Sequence, residues 1–251
     1  MIGLSTFHWY NMNGMSPTNK YKIVEEALEQ EIRNGRYDQT RKLPTEDDLI
    51  AKFNVSRNTI RKAIDVLTRR GFVIPVQGSG TFLRDVSHEG CINLEDFHGL
   101  THMFPLSRIE TRLIAFQELP ADAKIANILR VEVGAPLYYV KRLRLVDDQP
   151  YVVEISYFNR EIVPYLNREI ITTSIYAYIT SDPKKQIGFV DRIIRADVID
   201  DEDASLLGVA PNSPALVLEN RAMLRDGRMF DYSLNIHNYA RTKLLKLSNF
   251  M

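Results

Sequence analysis

The chain is poor in the residues that carry redox and metal chemistry. Of its 251 residues only Cys91 is a cysteine, so no internal disulfide can form and a site of clustered cysteines is excluded. No apolar run approaches the roughly 20 residues that a helix needs to cross a bilayer. The opening MIGLSTFHWYNMNGM has neither a basic start nor a long apolar stretch and makes a poor signal peptide. A cytoplasmic location, with no membrane partner, is the expectation. Charge of one sign is not in excess either: 32 Lys and Arg stand against 32 Asp and Glu, which argues against a wholly basic nucleic-acid coat protein. There is no nucleophile elbow, phosphate loop or Cys–His arrangement. His102, His237, Asp231 and Glu154 fit no metal-ligand spacing. The chain therefore reads as a non-enzyme without cofactor or metal.

What is present is ordinary globular composition, 45% hydrophobic and 25% charged, enough for one large or two small domains. The zero net charge hides an asymmetry. Between Pro17 and Val86 there are 13 Lys or Arg and 10 acids, a surplus of +3 that leaves −3 for the remainder.

The positive part contains the most informative stretch, Leu43 to Leu83. Pro44 and Thr45 open a helix, with Asp48 at capping-box spacing from Thr45. Leu49, Ile50 and Phe53 are its apolar stripe. Asn54-Val55 suits a tight turn, because Asn tolerates a left-handed backbone. Ser56 caps a second helix whose Ile60, Ile64 and Leu67 share one face, with Ala63 allowing a close crossing and Gly71 ending it. From Ser56 to Arg70 five Lys or Arg stand against one acid, a net of +4. Arg57 and Arg61 lie one turn apart, with Asn58 and Lys62 beside them. Arg can fork onto guanine, Asn onto adenine, and the hydroxyls of Ser56 and Thr59 suit phosphates. Phe72, Ile74 and Val76 then alternate, Gln77-Gly78-Ser79-Gly80 turns and Thr81-Phe82-Leu83 returns, a hairpin with a glycine-rich tip.

Together with a leading helix over Tyr21 to Asn34, LPTEDDLIAKFNVSRNTIRKAI and RGFVIPVQGSGTF resemble the N-terminal domain of GntR-family bacterial transcription regulators over about residues 17–84. The resemblance implies a winged helix-turn-helix in which Arg57, Asn58, Thr59, Arg61 and the tip Gln77, Gly78 and Ser79 meet the operator. One position departs from it. Many members carry Arg where this chain has Asp47, and that Arg reaches a base, so operator choice should differ here.

Residues 1–16 read as an irregular segment, unless Phe7, Trp9 and Tyr10 dock somewhere, with Met12 and Met15 as alternative starts. Residues 85–93 read as a linker, and the hinge is expected over Arg84 to Gly90. Beyond it the pattern is α+β with a mostly antiparallel sheet. Strands are expected at Ile109–Leu119, Ala135–Val146, Tyr151–Phe158, Arg192–Ile199, Ala215–Leu224 and Met229–Asn238, with short helices at Asp122–Leu129 and Asp200–Leu207. Val140, Arg142, Arg144 and Val146 share one parity. Two guanidiniums on one face, opposite Glu154 on the returning strand, call for an anion; carboxylates of the chain itself would also satisfy them.

KRLRLVDDQPYVVEISYFN, TTSIYAYI and NSPALVLENRAMLRDGRMFDYS, in that order, resemble the UTRA effector-binding domain of the HutC-type branch over 94–251. That domain is chorismate-lyase-like in fold. By this resemblance Phe97, His98, Arg142, Arg144, Glu154, Ser174, Tyr176, Asp231 and His237 would line an effector site. Asp231 replaces a usual Glu, and His237 stands where an aromatic is common. Asp96 stands where members that bind sugar phosphates carry small hydroxyl residues, and it would repel a phosphate.

The reading is a homodimeric repressor on pseudo-palindromic double-stranded operator DNA, released by a small anionic metabolite such as a sugar phosphate. A small-carboxylate effector and a lyase-like enzyme are the alternatives.

Overall fold

The computed structural model describes residues 17–84, 90–94, 99–104 and 107–246, with the backbone alone described at 17–19, 33 and 102. The expectations for residues 1–16, for the linker through Glu89 and for Asp96, Phe97 and His98 lie outside the described residues. The chain divides into two units, one through His88 and one from Glu89 to Leu245.

In the first unit α1 (Pro17–Arg33), α2 (Glu46–Phe53) and α3 (Arg57–Arg69) precede a hairpin of β1 (Val73–Val76) and β2 (Gly80–Leu83). Helix α1 starts four residues before the expected Tyr21, with Pro17 at its first position, where a missing N–H costs nothing. The capping box forms: Asp48 N–H donates to Thr45 Oγ1 at 3.2 Å and Thr45 N–H to Asp48 Oδ2 at 3.1 Å. Asn54 makes the turn with φ 49°. Leu28, Leu49, Ile60, Ala63 and Leu67 are fully buried between the three helices. Arg70 closes the far end, donating to Glu29 Oε1 on α1 at 3.0 Å and also reaching Glu25. In the hairpin the alternation of Phe72, Ile74 and Val76 does not mark the buried face. Phe72, Val73 and Leu83 are buried, whereas Ile74 and Val76 are 49% and 44% exposed.

The second unit runs β3 (Cys91–Asn93), α4 (Leu100–Met103), β4 (Ile109–Pro120), α5 (Ala123–Leu129), β5 (Pro136–Val146), β6 (Gln149–Asn159), α6 (Arg168–Thr172), α7 (Ile175–Thr180), β7 (Ile187–Val198), α8 (Asp201–Leu207), β8 (Pro214–Leu224), β9 (Met229–Asn238) and β10 (Lys243–Leu245). Six strands form one antiparallel sheet in the order β4-β5-β6-β9-β8-β7, and β3 pairs in parallel with β10. The expected linker 85–93 is therefore too long: Cys91–Asn93 is a strand with Ile92 buried, and three residues carry no period that would reveal it. Helices α6 and α7, of five and six residues, escape periodicity for the same reason. The hairpin turn at Asp147 and Asp148 holds both in the left-handed region, φ 49° and 63°, as two-residue connections of this hand require.

The antiparallel register sorts side chains by parity. On one face Leu143, Val153 and Val217 pack under Ala204 and Leu207 of α8, and Leu137 and Tyr232 under Ile125 and Leu129 of α5. Lys141 falls on this apolar face. Its ammonium is buried against Asp203 of α8, Nζ to Oδ1 2.8 Å, with Glu202 also at 2.8 Å. Lys141→Ala should cost about 3 kcal/mol, because it leaves the Asp203 carboxylate buried and unpaired. Urea unfolding of the two proteins measures this; a difference below about 1 kcal/mol would show that Asp203 finds another partner.

Candidate functional sites: a basic helix face and a buried pocket

Ser56 caps α3 by accepting from Thr59 N–H. That cap sets the first turn, where Arg57, Asn58, Arg61 and Lys62 are all exposed, as are Gln77, Gly78 and Ser79 at the hairpin tip. Thr59 is placed otherwise. It is buried, and its hydroxyl lies 2.9 Å from Ser56 Oγ, so it supports the cap rather than facing a phosphate. Lys62 Nζ sits over the Tyr21 ring at 4.3 Å. The two arginines are already in contact with acids of α2. Arg57 Nη2 reaches Asp47 Oδ1 at 2.5 Å and its Nη1 reaches Glu46 Oε2 at 3.2 Å, while Arg61 Nε donates to Glu46 Oε1 at 2.9 Å. Gly78 takes φ 74°, and at Gly80 a Cβ would come within 2.6 Å of Lys42 Cε.

The second site lies on the sheet face opposite α5 and α8. Neighbouring strands set four rows side by side: Arg144, Val152, His237; Arg142, Glu154, Asn235, Leu218; Ser156, Ser233, Asn220, Arg192; and Phe158, Asp231, Ala222, Val190. These rows, apart from Ala222, floor one pocket that is also lined by Thr101 of α4 and by Ser174 and Tyr176 at the start of α7. Seven expected residues thus meet: Arg142, Arg144, Glu154, Ser174, Tyr176, Asp231 and His237. Phe97 and His98 lie outside the described residues.

Two guanidiniums share one carboxylate here. Arg142 Nε donates to Glu154 Oε2 at 2.6 Å and its Nη1 to the Ile171 carbonyl at 2.7 Å. Arg144 Nη1 is 3.7 Å from the same Glu154 oxygen, and its Nη2 donates to Thr101 Oγ1 at 3.2 Å. Burial pushes the Glu154 carboxyl up, but Arg142 and Arg144 outweigh it and hold it below its usual range. Burial pulls the Arg144 guanidinium down, against the pull of Glu154. Among the described residues Arg144 Nε, Asp231 Oδ1 and both His237 ring nitrogens have no hydrogen-bond partner. Tyr176 O–H donates to the other Asp231 oxygen at 2.7 Å. Burial raises Asp231 to about 7, despite hydrogen bonds from Tyr176 and Ser233 that work the other way. Burial lowers His237 to about 4, so its imidazole is neutral at physiological pH.

Residues 20–83 match the bacterial regulatory proteins of the gntR family, and residues 107–243 match the UTRA domain. Over 92% of its length the chain is 31% identical to 98% of YydK, an uncharacterized HTH-type transcriptional regulator of Bacillus subtilis. The chain belongs to the GntR family.

With its UTRA domain this GntR regulator joins the HutC-type branch. GmuR, an HTH-type transcriptional regulator of the same bacterium, is 31% identical over 88% of this chain and 94% of its own. MngR, the mannosyl-D-glycerate transport/metabolism system repressor of Escherichia coli, is 28% identical over 87% and 91%. The crystal structure of YydK superposes with a TM-score of 0.75 at 30% identity, covering 92% of this chain and 99% of that one. The family and these relatives are transcriptional regulators and not enzymes, which removes the lyase-like alternative. Among the described residues no helix is long and apolar enough to cross a membrane.

Sequence reasoning missed Ser156, Arg192, Asn220, Ser233 and Asn235. Ser156 has the parity of Glu154, and Ser233 and Asn235 have that of Asp231 and His237, whereas Asn220 and Arg192 lie on strands from which no site residue was expected. The strand order that joins them is not written in any one strand.

The Asp231 carboxyl binds its proton in the fold between about pH 4 and 7, where an unfolded Asp has released it. Its contribution to stability is therefore present below the unfolded value and lost as the pH rises through the folded one. Asp231→Asn lacks this loss, so its stability relative to the parent should rise between pH 5 and pH 7.5. Denaturant unfolding at both values tests it, and a difference that stays constant would show that Asp231 titrates as it does in the open chain.

Proposed function

We propose that this GntR regulator is a homodimeric, cytoplasmic repressor whose grip on a pseudo-palindromic operator is released by a small anionic effector. DNA binding by one unit and effector binding by the other follow from the family. Release by an anion rests on a single observation: two buried guanidiniums share one carboxylate, and Arg144, in the pocket lining, has a buried Nε without a hydrogen-bond partner. A buried cation in excess is costly. A ligand anion that accepts from Arg144 relieves that cost, and Arg is suited to both phosphate and carboxylate by its planar fork.

Asp231, Tyr176, Ser233 and Asn220 supply donors and acceptors for hydroxyl groups beside the anion, which favours a sugar phosphate. By the family resemblance, Asp96 stands where a phosphate would be held, and this favours a carboxylate instead.

The dimer is supported by the edge of the sheet. Strand β7 is the last in the order, and its Phe189, Ile193 and Val198 are 63%, 49% and 59% exposed. An edge strand this long and apolar is usually covered, and a second copy of the chain would cover it. Two recognition helices on one operator would also multiply specificity.

The mechanism is linkage. The effector binds one state of the dimer better and DNA binds another, so each weakens the other by the same factor. A thermal-shift screen of hexose phosphates against small carboxylates, followed by operator release with any ligand that stabilises the protein, tests the reading. A stabilising ligand that leaves operator affinity unchanged would overturn it. Arg144→Ala should abolish the effector response and keep operator binding. Loss of both would make Arg144 a structural residue, and sedimentation as a monomer at working concentration would remove the dimer.

A further inference from the structure

We propose that Asp47 sets operator specificity through Arg57, holding the guanidinium in the plane that reads a base and discouraging it from settling on phosphate. This rests on the reading of Arg57 as a base contact.

Three observations carry it. First, the contact is direct: Arg57 Nη2 lies 2.5 Å from Asp47 Oδ1, and Glu46, 3.2 Å from Nη1, steadies the other side. Second, Asp47 has no other task in the helix. The cap of α2 is made by Thr45 and Asp48, the Asp47 side chain is 76% exposed, and Glu46 and Asp48 already place acids in the first turn. Third, Glu46 is shared with Arg61, so Asp47 is the acid that acts on Arg57 alone.

The hydrogen-bond count allows both contacts together. A guanidinium has five N–H donors, two on each Nη and one on Nε. Asp47 and Glu46 use one donor on each Nη. With the acids on the two outer Nη hydrogens, the parallel pair facing away from Nε is left as the fork that fits guanine O6 and N7. A base edge can therefore be read while the acids hold the group. A phosphate offers no such compensation. Bringing Arg57 onto the backbone also brings the Asp47 carboxylate near it, and that repulsion acts on every DNA sequence alike. An acid at this position thus weakens non-specific binding and keeps the specific contact aligned.

The test uses the full-length protein and two duplexes, one selected by the parent from a random library and one of scrambled sequence, measured by fluorescence anisotropy at one salt concentration. Asp47→Asn should tighten binding to the scrambled duplex and leave the selected duplex bound equally or more weakly, so that the ratio of affinities falls about three- to fivefold, the worth of an exposed ion pair. Asp47→Ser should do the same. In an Arg57→Ala background, itself lower in the ratio, Asp47→Asn should change the ratio no further. Equal tightening on both duplexes would reduce Asp47 to plain repulsion and overturn the proposal. So would an undiminished effect of Asp47→Asn in the Arg57→Ala background. If Arg57→Ala leaves the ratio untouched, it is the base-contact reading of Arg57 that fails, and the proposal goes with it.

Discussion

The two-residue period of an antiparallel sheet is the constraint on which the effector domain depends. One parity must be apolar, because α5 and α8 cover it. The other parity is then available for chemistry, and it holds Arg142, Arg144, Glu154, Asp231 and His237 within one pocket. A slip of one residue in β5 would place both arginines under α8 and turn Leu143 into the pocket. Lys141 shows the cost of a charge on the wrong parity: it is tolerated only because α8 brings Asp203 and Glu202 to it.

The same chemical pair appears in both units with different weight. In the DNA-binding unit Arg57 and Arg61 meet Glu46 and Asp47 at the surface, where water screens them and each pair is worth little to stability. Their value lies in orientation. In the pocket Arg142 is buried and Glu154 nearly so, and water is a poor alternative partner. There a missing partner is expensive, and an unmatched donor such as Arg144 Nε becomes a demand on whatever enters. The contrast suits the two tasks. A recognition surface must exchange its partners for a base or a phosphate at small cost. A sensor must gain enough from one small molecule to shift an equilibrium, and a shift from mostly bound to mostly released needs on the order of 5 kcal/mol of differential affinity. Few surface contacts could supply that, whereas a buried, under-compensated guanidinium can.

Neutral groups complete the logic of the pocket. Burial holds the His237 imidazole uncharged and leaves the Asp231 carboxyl near the midpoint of its titration at neutral pH. A pocket in which every group were charged would repel half of any ligand. Here the fixed charge sits on Arg142, Arg144, Arg192 and Glu154, while Asp231 and His237 adapt their protons to the partner that arrives.

Legibility followed the length of the elements. The helix pair with its capping box, turn and second cap was readable because each signal sits within a few residues: Thr45 with Asp48, Asn54, Ser56, Gly71. The long strands were readable by parity, and parity placed Arg142 and Arg144 on one face, with Glu154 opposite Arg142 on the partner strand. Short pieces were not. Cys91–Asn93, α6 and α7 offer less than two turns or two alternations, and their structure comes from partners far along the chain: Lys243–Leu245 for β3, and the core around Phe230 for α6 and α7. Burial of the wing failed for a related reason. Val73 rather than Ile74 turns inward because the helices beneath it decide which parity is covered, and a two-stranded hairpin does not decide that for itself. The half of the pocket contributed by Ser156, Ser233, Asn220 and Arg192 was hidden at a higher level still. Each residue is an ordinary polar position on its strand. Only the order β6-β9-β8-β7 sets the four in a line, and that order is fixed by which strands lie adjacent in the folded sheet, a property of the whole domain and of no segment within it.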